Sequence, residues 1–204
     1  MNAQIFKTAR IALPVFLALF AIPAFAEDVT YSTTGGFSAS GGASSATFGG
    51  GSNTLTLAFA GQSTATLDAS PSTNGSAGFI EASVTGTGNT ASGTFTLTID
   101  QTAPSVGTGG LSGNLSGTIT SNSSGGLLDF TSTSLTLGNI VYTLQQPPGG
   151  YELVSPATLM GETSIQFNIT ATALPEPTFY GLTGMGFAGL LAMAFHRKKQ
   201  TATA

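Results

Sequence analysis

The chain has 204 residues, of which 41% are hydrophobic and only 7% charged, with 28 Gly, no Cys, no Trp and a single histidine, His196. That composition excludes a thiol nucleophile, a disulfide framework and a Cys/His zinc site, and its Ser, Thr and Gly favour short strands and turns over a helix-rich enzyme. All five basic residues, Lys7, Arg10, Arg197, Lys198 and Lys199, lie near the ends with the nine acids between them, and a body that cannot neutralise phosphates excludes nucleic-acid binding.

The first predicted element is a secretory signal peptide over residues 1–26. Lys7 and Arg10 precede the apolar run Ile11 to Ile22, and Ala24-Phe25-Ala26 supplies an A-x-A site for signal peptidase, with cleavage after Ala26. The apolar run is too short for a comfortable membrane span.

Residues 27–173 form one predicted all-β domain rich in Gly, Ser and Thr, an antiparallel sandwich of jelly-roll-like form. The period is two: Leu55, Leu57 and Phe59 alternate with Thr54, Thr56 and Ala58, Phe95, Leu97 and Ile99 with Thr94, Thr96 and Thr98, and Ile165, Phe167 and Ile169 follow the same rule. Further strands are expected near Val29 to Thr33, Gln62 to Asp68, Gly78 to Val84, Leu115 to Thr120 and Leu127 to Thr131, enough for two sheets. The stretch Ser32 to Gly51 reads as a loose lead-in, because Phe37 and Phe48 are isolated; Gly107 to Gly110 and Ser121 to Gly126 read as loops. A hairpin is predicted at Leu135 to Leu144 with Gly138-Asn139 as its two-residue turn. Leu137 then faces Ile140 and Leu135 faces Tyr142, all on one side.

The C-terminal segment has three parts in order: Pro175-Glu176-Pro177, an apolar stretch from Phe179 to Phe195, and the basic cluster Arg197, Lys198 and Lys199, before a polar tail at 200–204. The prolines fix φ and keep the motif extended, and Glu176 lies near the positive end of the helix predicted to follow. Residues 179–195 are at the lower length limit for a transmembrane helix, with the basic cluster held on the cytoplasmic side. Gly184, Ala188 and Ala192 recur four apart on that helix.

Over Leu174 to Lys199 this arrangement resembles the PEP-CTERM sorting signal of exported Gram-negative bacterial proteins, a tail type also catalogued as an ice-binding protein C-terminal domain. Thr178-Phe179-Tyr180 departs from the small residues and Leu common in that family. The resemblance implies export across the inner membrane, a transient membrane anchor, processing by an exosortase-like protease, and delivery to the cell surface, envelope or extracellular matrix. It implies exopolysaccharide or other matrix components as partners.

The body offers little chemistry. It has no His, Lys or Arg, so neither a Ser-His-Asp arrangement nor a lysine nucleophile can be built within it, and only folding could pair its carboxylates. Asp68, Asp100 and Asp129 could bind calcium but lack an EF-hand or Gly-Gly-x-Gly-x-Asp spacing, so solvated acids are expected and no metal or cofactor is assigned. Tyr151, after Pro147-Pro148-Gly149-Gly150, is the one candidate ligand contact, with core packing its equal alternative. Thr94, Thr96 and Thr98 form a hydroxyl row that either binds an ordered surface such as ice or simply suits a wet strand face. The expected function is a non-enzymatic structural or adhesive role. A carbohydrate-binding or ice-binding surface module is the alternative.

Overall fold

The structure, a computed structural model, describes residues 28–69, 72–172, 184–187 and 189–190. The signal peptide with Ala24 and Ala26, the motif Pro175, Glu176 and Pro177, and the cluster Arg197, Lys198 and Lys199 all lie outside the described residues, as does most of the predicted span 179–195. Within that span residues 184–187 and 189–190 are helical. Among the described residues no helix is long and apolar enough to cross a membrane.

The body is built from twelve strands: β1 (Asp28–Phe37), β2 (Ser45–Gly50), β3 (Asn53–Gly61), β4 (Ala65–Asp68), β5 (Thr73–Thr85), β6 (Asn89–Ala103), β7 (Gly107–Ile119), β8 (Gly126–Phe130), β9 (Ser134–Leu137), β10 (Ile140–Leu144), β11 (Tyr151–Leu153) and β12 (Glu162–Ala171). They make two antiparallel six-stranded sheets, in the orders β11-β8-β7-β6-β1-β4 and β2-β3-β5-β12-β10-β9. Because β6-β7-β8 is a meander and β2-β3 and β9-β10 are hairpins kept within one sheet, the strand order departs from the paired Greek keys of a jelly roll.

Period-two alternation converts directly into burial. Leu55, Leu57, Phe95, Leu97, Ile99, Ile165, Phe167 and Ile169 are all buried in one core shared by both sheets. The hairpin has the predicted register, Ile140 opposite Leu137 and Tyr142 opposite Leu135. Only Gly138 takes positive φ there, 62°, which fits the hairpin turn that places glycine at its first central position.

Two expectations are corrected. The segment from Ser32 to Gly51 is no loose lead-in, since β1 runs on to Phe37 and β2 covers Ser45–Gly50, with Phe37 and Phe48 both buried. Phe37 packs on Phe95, ring centroids 4.9 Å apart, so a residue isolated in sequence finds its partner across the β1-β6 ladder. Likewise Gly107 to Gly110 belongs to β7, paired with Gln101, Asp100, Ile99 and Thr98 of β6. A long neighbour supplies the ladder that glycine-rich sequence would not specify alone.

Buried hydroxyls tie the two sheets together. Opposite Ile165 and Gln166, β5 slips register around Ala77, a β-bulge that turns carbonyls inward. From the facing sheet Thr33 donates its hydroxyl to the Ala77 carbonyl at 2.7 Å and Tyr31 donates to the Ser76 carbonyl at 3.1 Å. Tyr142 donates to Gln101 Oε1 at 2.9 Å, again from one sheet to the other. Each such bond contributes about 1 kcal/mol net, and losing a partner would leave a buried polar group unsatisfied at greater cost.

Candidate functional site

Tyr151 is buried, 6% exposed, because β11 pairs with β8 so that Tyr151 lies opposite Leu128 and both point inward. Its ring meets Phe130 edge-on at 6.1 Å, and its hydroxyl donates to the Gln166 carbonyl at 3.3 Å. Burial pushes the phenol up to about 12, only partly offset by that hydrogen bond. Tyr151 is therefore a core residue and presents no aromatic platform to a ligand, which corrects the exposed alternative.

The loop before it does form a concave surface. Pro147, Pro148 and Gly149 border a groove of about 480 Å³ with Gly125, Leu127 and Glu152 on the β8-β11 side. Two conditions let the loop lie there. The Gly150 amide donates to the Pro147 carbonyl at 3.0 Å, closing the turn. Gly150 itself takes φ 105°, and a Cβ at that position would stand 2.8 Å from the Leu128 carbonyl oxygen, so only glycine allows this approach. Glu152 is exposed and faces outward because its neighbours Tyr151 and Leu153 face in. Within β11 the period-two rule turns Tyr151 into the core and leaves its neighbour Glu152 as the side chain that faces the groove.

Folding does bring carboxylates together. Asp28 lies opposite Asp68 across β1 and β4, and Glu81 opposite Glu162 across β5 and β12. Asp100 accepts a hydrogen bond from the Thr108 hydroxyl at 2.7 Å and Asp129 from the Gln146 side-chain amide at 2.8 Å. The three candidate calcium ligands, Asp68, Asp100 and Asp129, are on β4, β6 and β8, each separated from the next by an intervening strand. Among the described residues no group of three or more His, Cys, Asp or Glu side chains could hold a metal ion.

The hydroxyl row is wider than one strand. Thr90, Ser92, Thr94 and Thr96 of β6 are exposed and lie opposite Thr118, Ser116, Asn114 and Ser112 of β7, which are exposed too. Thr90 and Thr118 share a hydrogen bond at 2.8 Å, Thr96 and Ser112 one at 3.3 Å. Thr98 continues the row, half-buried beside Thr34 of β1. No charged side chain interrupts these four cross-strand pairs.

The ends of the body meet. Asp28 pairs with Asp68, and the Ala171 amide donates to the Ala69 carbonyl, so the beginning of β1 and the end of β12 share one pole. At the far end of β12 the backbone turns through Leu159 and Met160, both with positive φ, 46° and 55°, and 72% and 76% exposed. That turn is pinned by Gly161, whose Cβ would stand 2.3 Å from the Ala82 carbonyl oxygen. Compared with protein-family models, curated proteins and solved structures, the chain finds no match.

Proposed function

We propose that this is an exported, non-enzymatic protein, sorted by its C-terminal tail to the cell surface, envelope or extracellular matrix, where its β body has a structural or adhesive role. The observation that carries the reading is the ordered tail: Pro175-Glu176-Pro177, then the apolar stretch 179–195, then Arg197, Lys198 and Lys199, at the opposite end of the chain from a signal-peptide pattern. On this reading signal peptidase cuts after Ala26, the apolar stretch holds the chain in the inner membrane for a time, and an exosortase-like protease releases the body. The meeting of both body ends at one pole supports it. A domain tethered there keeps its other pole and both sheet faces clear of the bilayer.

The test is intact mass together with fractionation of the native protein in a host that carries the protease. The expected product lacks residues 1–26 and part or all of the tail, and is found outside the inner membrane. Replacing Pro175, Glu176 and Pro177 with Ala should leave a heavier, membrane-associated form. An unchanged mass and location in that variant would overturn tail-directed processing.

The hydroxyl pairs between β6 and β7 favour a second reading, a surface module for carbohydrate or ice. Thermal hysteresis equal to that of a control protein would remove the ice version.

A further inference from the structure

From residue 11 to residue 195 the chain carries no Lys, Arg or His, so the whole β body is acidic and nothing in it can neutralise Glu152 from within. Such a field repels polyanions and concentrates cations at any carboxylate set in a concave surface. The groove beside β11 is such a surface. Proline and leucine form its walls, glycine backbone lines its rim, and Glu152 is its one charged side chain, with no ion-pair or hydrogen-bond partner for its carboxylate among the described residues.

We infer that this groove binds a protonated amino sugar within a de-N-acetylated polysaccharide. The inference rests on a carbohydrate-binding role for the body, placed at this groove and not at the β6-β7 hydroxyl face, and gives it a ligand class. The ammonium would sit on Glu152 as a charge-assisted hydrogen bond. The C–H face of the pyranose ring would lie against the exposed Pro148 and the half-buried Leu127, an apolar wall that suits a flat, partly apolar ring. The ring hydroxyls would meet backbone groups at Gly125 and Gly149, where no side chain stands in the way. A peptide cation would meet the first two of these conditions, its aliphatic stem lying on the same apolar wall, so the ring hydroxyls facing the glycine rim are what set the sugar apart. Single-site affinity is weak by construction, and many protein copies along one polymer supply avidity.

The experiment is titration calorimetry of the full-length chain in detergent, at mildly acidic pH where the amines are protonated. Its probes are a glucosamine oligomer, the N-acetylated oligomer of the same length, and oligolysine of matching charge. Binding of the glucosamine oligomer alone is expected, weakened about tenfold by Glu152→Gln, as for loss of a hydrogen bond to a charged group. Glu81→Gln, which removes the same charge from a different sheet, should change it less than about twofold, the screening expected between well-separated surface charges. Pro148→Ser, which keeps the charge and removes the wall, should weaken binding as well. Equal losses from Glu152→Gln and Glu81→Gln would reduce the effect to a diffuse field and overturn the site. Oligolysine binding with the same dependence on Glu152 would overturn the sugar in favour of a basic peptide. Binding of both the glucosamine and the N-acetylated oligomer, unchanged by Glu152→Gln, would overturn the amino-sugar site and leave the carbohydrate-binding reading standing, whereas binding of neither would defeat both, so the two failures are separable.

Discussion

Replacing Phe95 with Ala should remove a large block of core stability in this fold. Phe95 is fully buried and is the hub of an aromatic cluster, with ring centroids 4.9 Å from Phe37, 5.1 Å from Phe59 and 6.3 Å from Phe130. Phe59 is on β3 of one sheet and the other three are on the facing sheet, so the ring joins the two layers. Its neighbour Gly35 cannot fill the void, because the ring already reaches to 2.5 Å of where a Gly35 Cβ would stand and glycine has no side chain to move in. A site that collapses poorly belongs at the upper end of the range for Phe-to-Ala changes, about 4–5 kcal/mol. For a domain of this size that corresponds to a fall in Tm of roughly 8–20 °C. The assay is urea unfolding followed by tyrosine fluorescence, with Thr96→Ala as control. Thr96 is exposed and gives up only a hydroxyl contact with Ser112, so its cost should stay within about 0.5 kcal/mol. A loss below about 1.5 kcal/mol for Phe95→Ala, or equal losses for the two variants, would refute the view that β6 buries one face at this position.

Three other outcomes are expected. Met160→Gly should raise stability by about 0.5–1 kcal/mol, because glycine relieves the left-handed backbone at φ 55° and the exposed methionine side chain contributes little burial; a loss in thermal unfolding would show that Met160 packs. At the next residue Gly161→Ala should cost more than about 1 kcal/mol, since φ is 80° and the added Cβ would strike the Ala82 carbonyl. Alkali should unfold the protein as pH climbs above 10. Burial raises the phenols of Tyr31, Tyr142 and Tyr151, the last to about 12, so the folded state holds their protons more tightly than the unfolded state does. Stability is complete below the ordinary tyrosine pKa of about 10 and falls as pH rises through the folded values. Tyrosinate absorbance and loss of near-ultraviolet dichroism should therefore rise together, and free ionisation of these three residues in the intact fold would contradict their burial.

The groove and the hydroxyl face differ in how far sequence could reach them. Thr94, Thr96 and Thr98 announce a wet face through alternation alone, but Asn114 and Ser112, which lie opposite Thr94 and Thr96, come from β7, and only the β6-β7 register aligns the two rows. Pro147-Pro148-Gly149-Gly150 marks a turn by composition. What it turns against, the Leu128 and Asp129 backbone, is a tertiary fact.

By itself the sequence determined whatever is local or additive. Alternation placed the inward faces of β3, β6 and β12, the Gly138-Asn139 pair set the register of β9 and β10, and a plain count of charges made the body acidic and cation-free. Tertiary structure alone decided the burial of Phe37 and Phe48, the inclusion of Gly107 to Gly110 in a strand, the inward turn of Tyr151, and the pairing of Glu81 with Glu162. Each of those depends on which distant strand lies alongside. Backbone ladders and core contacts are made between residues far apart in the chain, so a residue with no pattern around it takes its environment from its partner strand.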